Sequence, residues 1–412
     1  MKILYLHQYF ATPESNAGTR SYEMAKRLVA KGHKVTFVTS SAFLSNNYEL
    51  KKGWNEIEID KIKLHVFHLP YSNKDSYLKR IMKFVSFSIR ASLKSLTIKS
   101  DVVFATSTPL TIAIPAVFYS KVKKIPMVFE VRDLWPELPV AIGAIKNPII
   151  IKAAEMLEKF AYNNASHLIG LSPGMCNGII RQGIDKSKVT LATNSCDTDL
   201  FDVDPSIGLK YKENNLKFVG NRKIITYTGT FGAINDVRYI VDLARAAQEH
   251  NYNLCFIAIG DGIQKNEIIK YAEDLGVLNN NLYILDPVPK NEIVELLSAA
   301  DLSLSLFGPI KEMWHNSANK LFDALASQTP IAINYEGWQK EFIEESKCGL
   351  ILPPLDFKLA AKNLNDFIFD EERYQLAKVS CYDLSYNKYS RDIMADRLEH
   401  ALVEVVYDKT SI

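Results

Sequence analysis

NSANKLFDALASQTPIAI, residues 316–333, joins a helical period to a short β-branched run, and its opening residues have the character of an anion site. Leu321, Phe322, Leu325 and Ala326 recur at one-face helical spacing. Ser317, Asn319 and Lys320 stand where that helix begins, and the first N–H groups of a helix lack partners within it. Such a start attracts phosphate. After the IAI run come Glu336-Gly337-Trp338-Gln339 and the turn Lys347-Cys348-Gly349 before LILPP. The resulting order of helix, strand, loop, helix, strand is that of a nucleotide-binding α/β half.

Outward from this stretch the same alternation fills the chain. In the first half, short β-branched runs at 3–7, 34–39, 64–68, 101–106, 127–131, 167–171 and 189–193 alternate with helical patterns. A second series occupies 224–228, 254–259, 282–285, 302–306, 331–333 and 349–352, after a polar stretch with Pro205, Gly208 and Gly220. The fold class is therefore α/β, with mostly parallel sheets covered by helices. The expected division is 1–201, a linker at 202–223, 224–385, and a terminal helix within 386–412 whose packing on the first domain the pattern leaves open. Open parallel sheets bind ligands beyond the carboxyl ends of their strands. Two Rossmann-like domains facing a central cleft are thus expected to bring a donor and an acceptor together.

Composition excludes several classes. The 49 basic and 47 acidic residues nearly cancel, so no global field points to a nucleic acid partner. The five cysteines are scattered, odd in number and without a CxxC pair, which implies reduced thiols and no metal site. No GxGxxG follows either first strand, against a nicotinamide or flavin cofactor. The opening KILYLH lacks the form of a secretory signal, and the apolar stretches near 110–119 and 149–154 are too short to span a bilayer. A cytoplasmic chain, peripheral on the inner face of the plasma membrane, is the expectation.

Residues 316–333, the strand-end IGDG at 259–262, PVPKNEIVELLSAADLSLSL at 287–306 and NSCDTDLF at 194–201 resemble the retaining family-four (group 1) glycosyltransferases of GT-B fold. HQYFATPESNAGTRSYEMAKRLVAKGHKVTFVTS at 7–40 and FEVRDLWPE at 129–137 look most like the branch that builds bacterial O-antigen and capsule polysaccharides, often from N-acetylated amino sugars. The resemblance implies a nucleotide-binding C-terminal domain and an acceptor-binding N-terminal one.

It also implies roles for single residues. In the family, two glutamates eight positions apart bracket the helix start, one on the donor sugar and one on the ribose; the matching positions here are His315 and Asp323. Asp323 keeps a carboxylate for the ribose, while whether His315 serves in the glutamate's place stays open. Most relatives hold the pyrophosphate with an Arg and a Lys after the first strand of this domain. Gly229, Thr230 and Asn235 stand there instead, so Lys320 is the expected replacement, acting with Ser317, Asn319 and Leu321 around the helix start. Gly18 and Arg20, after the first strand, are expected near the diphosphate. Gly260 and Gly262 are expected to line the donor site, and Val288 to contact the base. Asp133 is the expected sugar or acceptor contact, with Arg132 where many relatives have a histidine, and Glu137 as a second acceptor candidate.

From 78 to 99 the chain reads LKRIMKFVSFSIRASLKSLTIK, basic and apolar with no acid, as an interfacial helix meeting an anionic membrane surface requires. A basic solvated face over a core helix is the competing account. The combined expectation is a metal-independent, retaining enzyme without a cofactor. It transfers a sugar from a UDP-sugar, the nucleotide-sugar donor, to a polyprenyl-diphosphate-linked saccharide. A UDP-sugar 2-epimerase, a non-catalytic nucleotide-sugar binder and an assembly scaffold are the alternatives.

Overall fold

The computed structural model describes residues 1–15, 18–44, 48–70, 75 and 77–407, the side chains of Tyr77 and Leu78 excepted. The chain forms two compact units, Met1–Thr193 with Asp392–Ile412, and Asn194–Arg391.

The first unit is built on an eight-stranded sheet of β1 (Lys2–Leu6), β2 (Lys34–Ser40), β3 (Trp54–Ile59), β4 (Ile62–Phe67), β5 (Val102–Thr106), β6 (Met127–Val131), β7 (His167–Gly170) and β8 (Val189–Leu191). The strand order is β3-β4-β2-β1-β5-β6-β7-β8, with only β3 antiparallel to its neighbour. The order reverses between β1 and β5, and a ligand of an open sheet binds at such a switch point. Strand β3 lies outside the runs expected from the sequence. Its WNEIEI alternates polar and apolar at a sheet edge, and it joins β4 through Asp60 and Lys61, both left-handed, a turn made without the usual Asn-Gly signal.

The second unit carries β9 (Lys223–Thr228), β10 (Leu254–Ile259), β11 (Leu282–Leu285), β12 (Leu302–Ser305), β13 (Ile331–Ile333) and β14 (Gly349–Ile351). All are parallel, in the order β11-β10-β9-β12-β13-β14, which places the switch point between β9 and β12. Period-two alternation divides the apolar load between the two faces. Along β10, Leu254, Phe256 and Ala258 join one buried cluster with the helices Arg238–Glu249 and Phe357–Phe369. Cys255, Ile257 and Ile259 join another with Tyr211 and Leu296. Each fully buried side chain of this size contributes about 1.5–3 kcal/mol.

The boundaries differ from expectation, beginning with the leading segment of the first unit, which ends at Thr193 rather than at 201. The stretch 202–223 is not a linker: Pro205–Asn215 is a helix, with Asp204 capping the Ser206 amide at 2.8 Å and Pro205 in the first turn, where its missing N–H costs nothing. Gly208 is there for proximity, since a Cβ would stand 2.4 Å from the Ser298 carbonyl carbon. Residues 392–407 belong to the first unit, where Lys31 pairs with Asp396 and Glu399, and Arg397 donates to the Leu191 carbonyl. Residues 408–412 of the expected terminal helix lie outside the described residues.

Candidate functional site

In the second unit, the chain leaves β9 through Gly229 at the switch point, and the helix Asn319–Ala326 starts beside it. A Cβ built on Gly229 would meet Lys320 Cε at 2.6 Å and Nζ at 2.7 Å, so the lysine occupies the space that a side chain would take. Its Nζ also lies 5.2 Å from the centre of the Tyr227 ring, a contact that favours the cation. Lys320 is half-buried and has no ion-pair or hydrogen-bond partner among the described residues. Burial lowers its pKa to about 8, against the opposing pull of the Asp323 carboxylate. Ala318 is the N-cap and offers no side-chain acceptor, so the helix start lacks the cap that would satisfy its amides. An ammonium and uncapped amides at a switch point suit an anion.

The loop before this helix is held by Asn316. Its carbonyl accepts from Trp338 Nε1 at 2.7 Å and Gln339 Nε2 at 3.1 Å, and its Oδ1 accepts from the same Gln339 amide at 2.7 Å. Gln339 is fully buried and in turn accepts from the Tyr335 hydroxyl at 2.6 Å. Ser317 is tied down separately: Oγ accepts the Asn194 amide at 3.0 Å and its carbonyl accepts Asn194 Nδ2 at 2.6 Å. His315 ends the short 3₁₀ turn Lys311–His315, half-buried.

Several expected donor contacts are placed differently. Leu321 is fully buried and its amide bonds the Ala318 carbonyl, so it belongs to the core and to the first turn. Gly260 and Gly262 pack against the Gly229 loop: Cβ atoms on them would lie 1.8 Å from the Gly229 oxygen and 2.3 Å from the Phe231 oxygen. They set the spacing of that loop. The Val288 side chain packs on the cluster around Tyr211. Asp323 is paired through Oδ2 with Lys290 Nζ at 2.7 Å, a partner the sequence did not signal. Asn319 and Thr230 are exposed, and the Thr230 carbonyl accepts the Tyr227 hydroxyl at 2.8 Å.

In the first unit, Arg20 opens the helix Arg20–Ala30 and is engaged by the protein's own groups. It is buried, with Nε and Nη2 on Glu130 Oε1 at 3.0 and 2.8 Å and the remaining groups on the carbonyls of Ala192 and Thr193. Glu130 Oε2 accepts the Thr106 hydroxyl at 2.6 Å. Burial opposes ionisation of Glu130, yet Arg20, Arg132 and Thr106 hold its carboxyl below the ordinary value. Arg20 is therefore an internal brace rather than a donor contact.

Around the β1/β5 switch point the picture is different. His7 is buried, with Nδ1 2.8 Å from Ser21 Oγ and Nε2 without a partner among the described residues. Burial and the nearby Arg132 hold its pKa well below the usual value, so it stays neutral. Gln8 Oε1 and Thr12 Oγ1 are likewise buried and without a partner among the described residues. Burial raises the Asp133 pKa to about 6, with Arg132 acting against it; the two make no direct ion pair among the described residues. The Arg132 amide donates to Ser107 Oγ at 2.9 Å. Glu137 and Gly18 are exposed, whereas Asn16 and Ala17 of the same loop lie outside the described residues.

The Glycosyl transferase 4-like domain family matches residues 17–195, and the Glycosyl transferases group 1 family matches residues 211–379. The chain belongs to the group 1 glycosyltransferases. This glycosyltransferase is 21% identical over 296 residues, 69% of its length and 72% of the relative's, to the putative colanic acid biosynthesis glycosyl transferase WcaI of Escherichia coli K12. It is 25% identical over 340 residues, 78% of its length and 80% of the relative's, to the probable glycosyltransferase WbjE of Pseudomonas aeruginosa. Among solved structures, Anabaena HepE, crystallised with UDP and with UDP-glucose, superposes with a TM-score of 0.70 at 15% identity, covering 98% of this chain and 100% of that one. WaaG, a glycosyltransferase involved in lipopolysaccharide biosynthesis, gives 0.65 at 14% identity over 98% and 99%. The glycosyltransferase thus has the GT-B fold.

Proposed function

We propose that this glycosyltransferase moves a sugar, an N-acetylated amino or deoxy sugar, from a UDP-sugar to a lipid-linked saccharide in surface-polysaccharide synthesis, with retention at the anomeric carbon. The observation behind this reading is the Lys320 ammonium, unpaired among the described residues, seated over Gly229 beside an uncapped helix start at the β9/β12 switch point. HepE was solved with UDP, WaaG is named for lipopolysaccharide biosynthesis and WcaI for colanic acid biosynthesis, which supports the choice of donor and pathway class.

In this scheme the second unit holds the diphosphate. As the bond from the anomeric carbon to the β-phosphate oxygen breaks, that oxygen keeps the electron pair and takes the proton of the acceptor hydroxyl, which forms the new glycosidic bond on the same face. Lys320 and the amides of Asn319 and Lys320 stabilise the charge that develops on the departing diphosphate. A strong protein base and a metal ion are then unnecessary. Asp323 meets the ribose, and His315 stands at the donor-sugar position. Asp133 and Arg132 contact sugar or acceptor from the first unit, with Glu137 at its edge. The acceptor is a polyprenyl-diphosphate saccharide, reached from the inner face of the membrane.

The test is to incubate membranes bearing lipid-linked oligosaccharide with labelled UDP-, GDP- and dTDP-sugars. Label from a UDP-sugar becomes lipid-extractable if the reading holds. An isomerised donor sugar without transfer would identify a 2-epimerase, and tight UDP binding without turnover a non-catalytic binder.

A further inference from the structure

We propose that the helices Tyr77–Ser95, Ala113–Lys123 and Pro148–Asn164 form one surface that docks the first unit on an anionic lipid bilayer. It serves the lipid-linked acceptor proposed above, on which its use in the reaction rests, but its evidence is the surface itself.

The three helices lie side by side, Ala113–Lys123 in the middle, and pack on the sheet through inward residues such as Phe87, Ala91, Ala116, Val117 and Ala161. Their outward stripes are also apolar. Met82, Val85, Ile89 and Leu93 run along the first helix, with Met82 64% and Leu93 63% exposed. Ile114, Phe118 and Val122 continue the stripe at four-residue spacing on the second, and Ile149, Met156 and Phe160 carry it on the third at spacings of seven and four, Ile149 being 78% exposed. A helix ordinarily turns polar residues to water opposite its core face. Here all three neighbours present large apolar groups there, which marks an interaction surface.

Charge selects the occupant. Lys121, Lys123, Lys124, Lys152 and Lys159 are exposed with no ion-pair partner among the described residues. Lys79 and Lys83 are paired with Asp75, and Lys94 with Glu56, so the basic character expected of 78–99 is partly spent, whereas Lys121, Lys123, Lys152 and Lys159 lie on the other two helices and Lys124 directly follows one of them. The acids on the three helices are Glu155, exposed, and Glu158, buried. Apolar groups flanked by lysines suit insertion among acyl chains beneath anionic headgroups. No helix among the described residues is long and apolar enough to cross the bilayer, so docking is from one side.

The test sediments the purified full chain with phosphatidylglycerol-rich vesicles and with vesicles of phosphatidylcholine alone. The expected result is binding to the anionic vesicles that weakens with salt and falls at least tenfold in Phe118→Glu combined with Ile149→Glu. A Lys121→Gln, Lys123→Gln, Lys124→Gln variant is expected to bind less, with a shallower salt dependence. Unchanged Tm and UDP affinity show that the variants fold. The proposal is overturned if the wild type stays in the supernatant, or if the double variant pellets unchanged. It is also overturned if light scattering finds a dimer that Phe118→Glu dissolves, which would assign the face to a second copy. UDP binding is read separately, so a failed docking surface and a failed donor site are distinguishable.

Discussion

Lys320 Nζ stands 2.7 Å from where a Cβ on Gly229 would be, so the glycine after β9 and the lysine at the helix start define each other's place. Gly229→Ala is expected to displace the ammonium, the flexible end of a side chain, and to strain a backbone held at φ +154°, so a modest loss of Tm accompanies it. UDP affinity should fall about tenfold, roughly 1.4 kcal/mol, by titration calorimetry. Gly260→Ala behaves differently, because its Cβ meets the Gly229 carbonyl oxygen at 1.8 Å and backbone must move. Overpacking of this kind costs about 1–3 kcal/mol, read as a lowered Tm.

The same lysine gives UDP binding a pH signature. With a pKa near 8 in the free protein, Lys320 is charged below that value and neutral above it. Affinity should therefore be full at pH 7 and fall as pH rises past about 8, by no more than tenfold per pH unit. Lys320→Met is expected to bind weakly at pH 7 and to show a flat profile over the same range.

Asp133 links stability to pH in the opposite direction from a salt-bridged carboxylate. Its folded pKa, about 6, lies above the ordinary 3.8, so between these values the folded protein holds a proton that the unfolded chain releases. Its contribution to stability is thus greatest below about pH 4, declines as pH rises to about 6 and is level beyond. Asp133→Asn should remove that slope in urea unfolding and be at least as stable as wild type at pH 7. Sugar transfer should fall at least tenfold, about 1.4 kcal/mol.

Arg20→Met removes the partner of a buried Glu130 carboxylate, and breaking such a pair costs about 3–5 kcal/mol. Chemical unfolding should register that loss. The UDP affinity of the folded fraction should not change, because the guanidinium is committed to Glu130 and two carbonyls. A substantial loss of UDP affinity in that fraction would return Arg20 to the donor site.

Much of this architecture was legible because parallel strands buried on both faces read as continuous β-branched runs, and all six strands of the second unit fall where those runs stand. Edge strand β3 hid behind its glutamates. The stretch 202–223 looked like a linker because Pro205 and Gly208 are breakers in isolation, whereas one starts a helix and the other lets two helices touch. Lys320 was legible from its place at a helix start. Arg20 was misread for the same reason: pattern shows a cation near the end of β1, but not that Glu130 lies two strands over on β6. His7 with its unpartnered Nε2, and the Asn316–Gln339 clamp, depend on contacts between residues distant in sequence, and no local spacing announces them.

The most direct measurement titrates UDP and UMP into the wild-type chain and into Lys320→Met at pH 7. The account predicts that the wild type prefers UDP and that the substitution weakens UDP at least tenfold, about 1.4 kcal/mol, while UMP changes much less. Equal UDP affinity in the two proteins would contradict it.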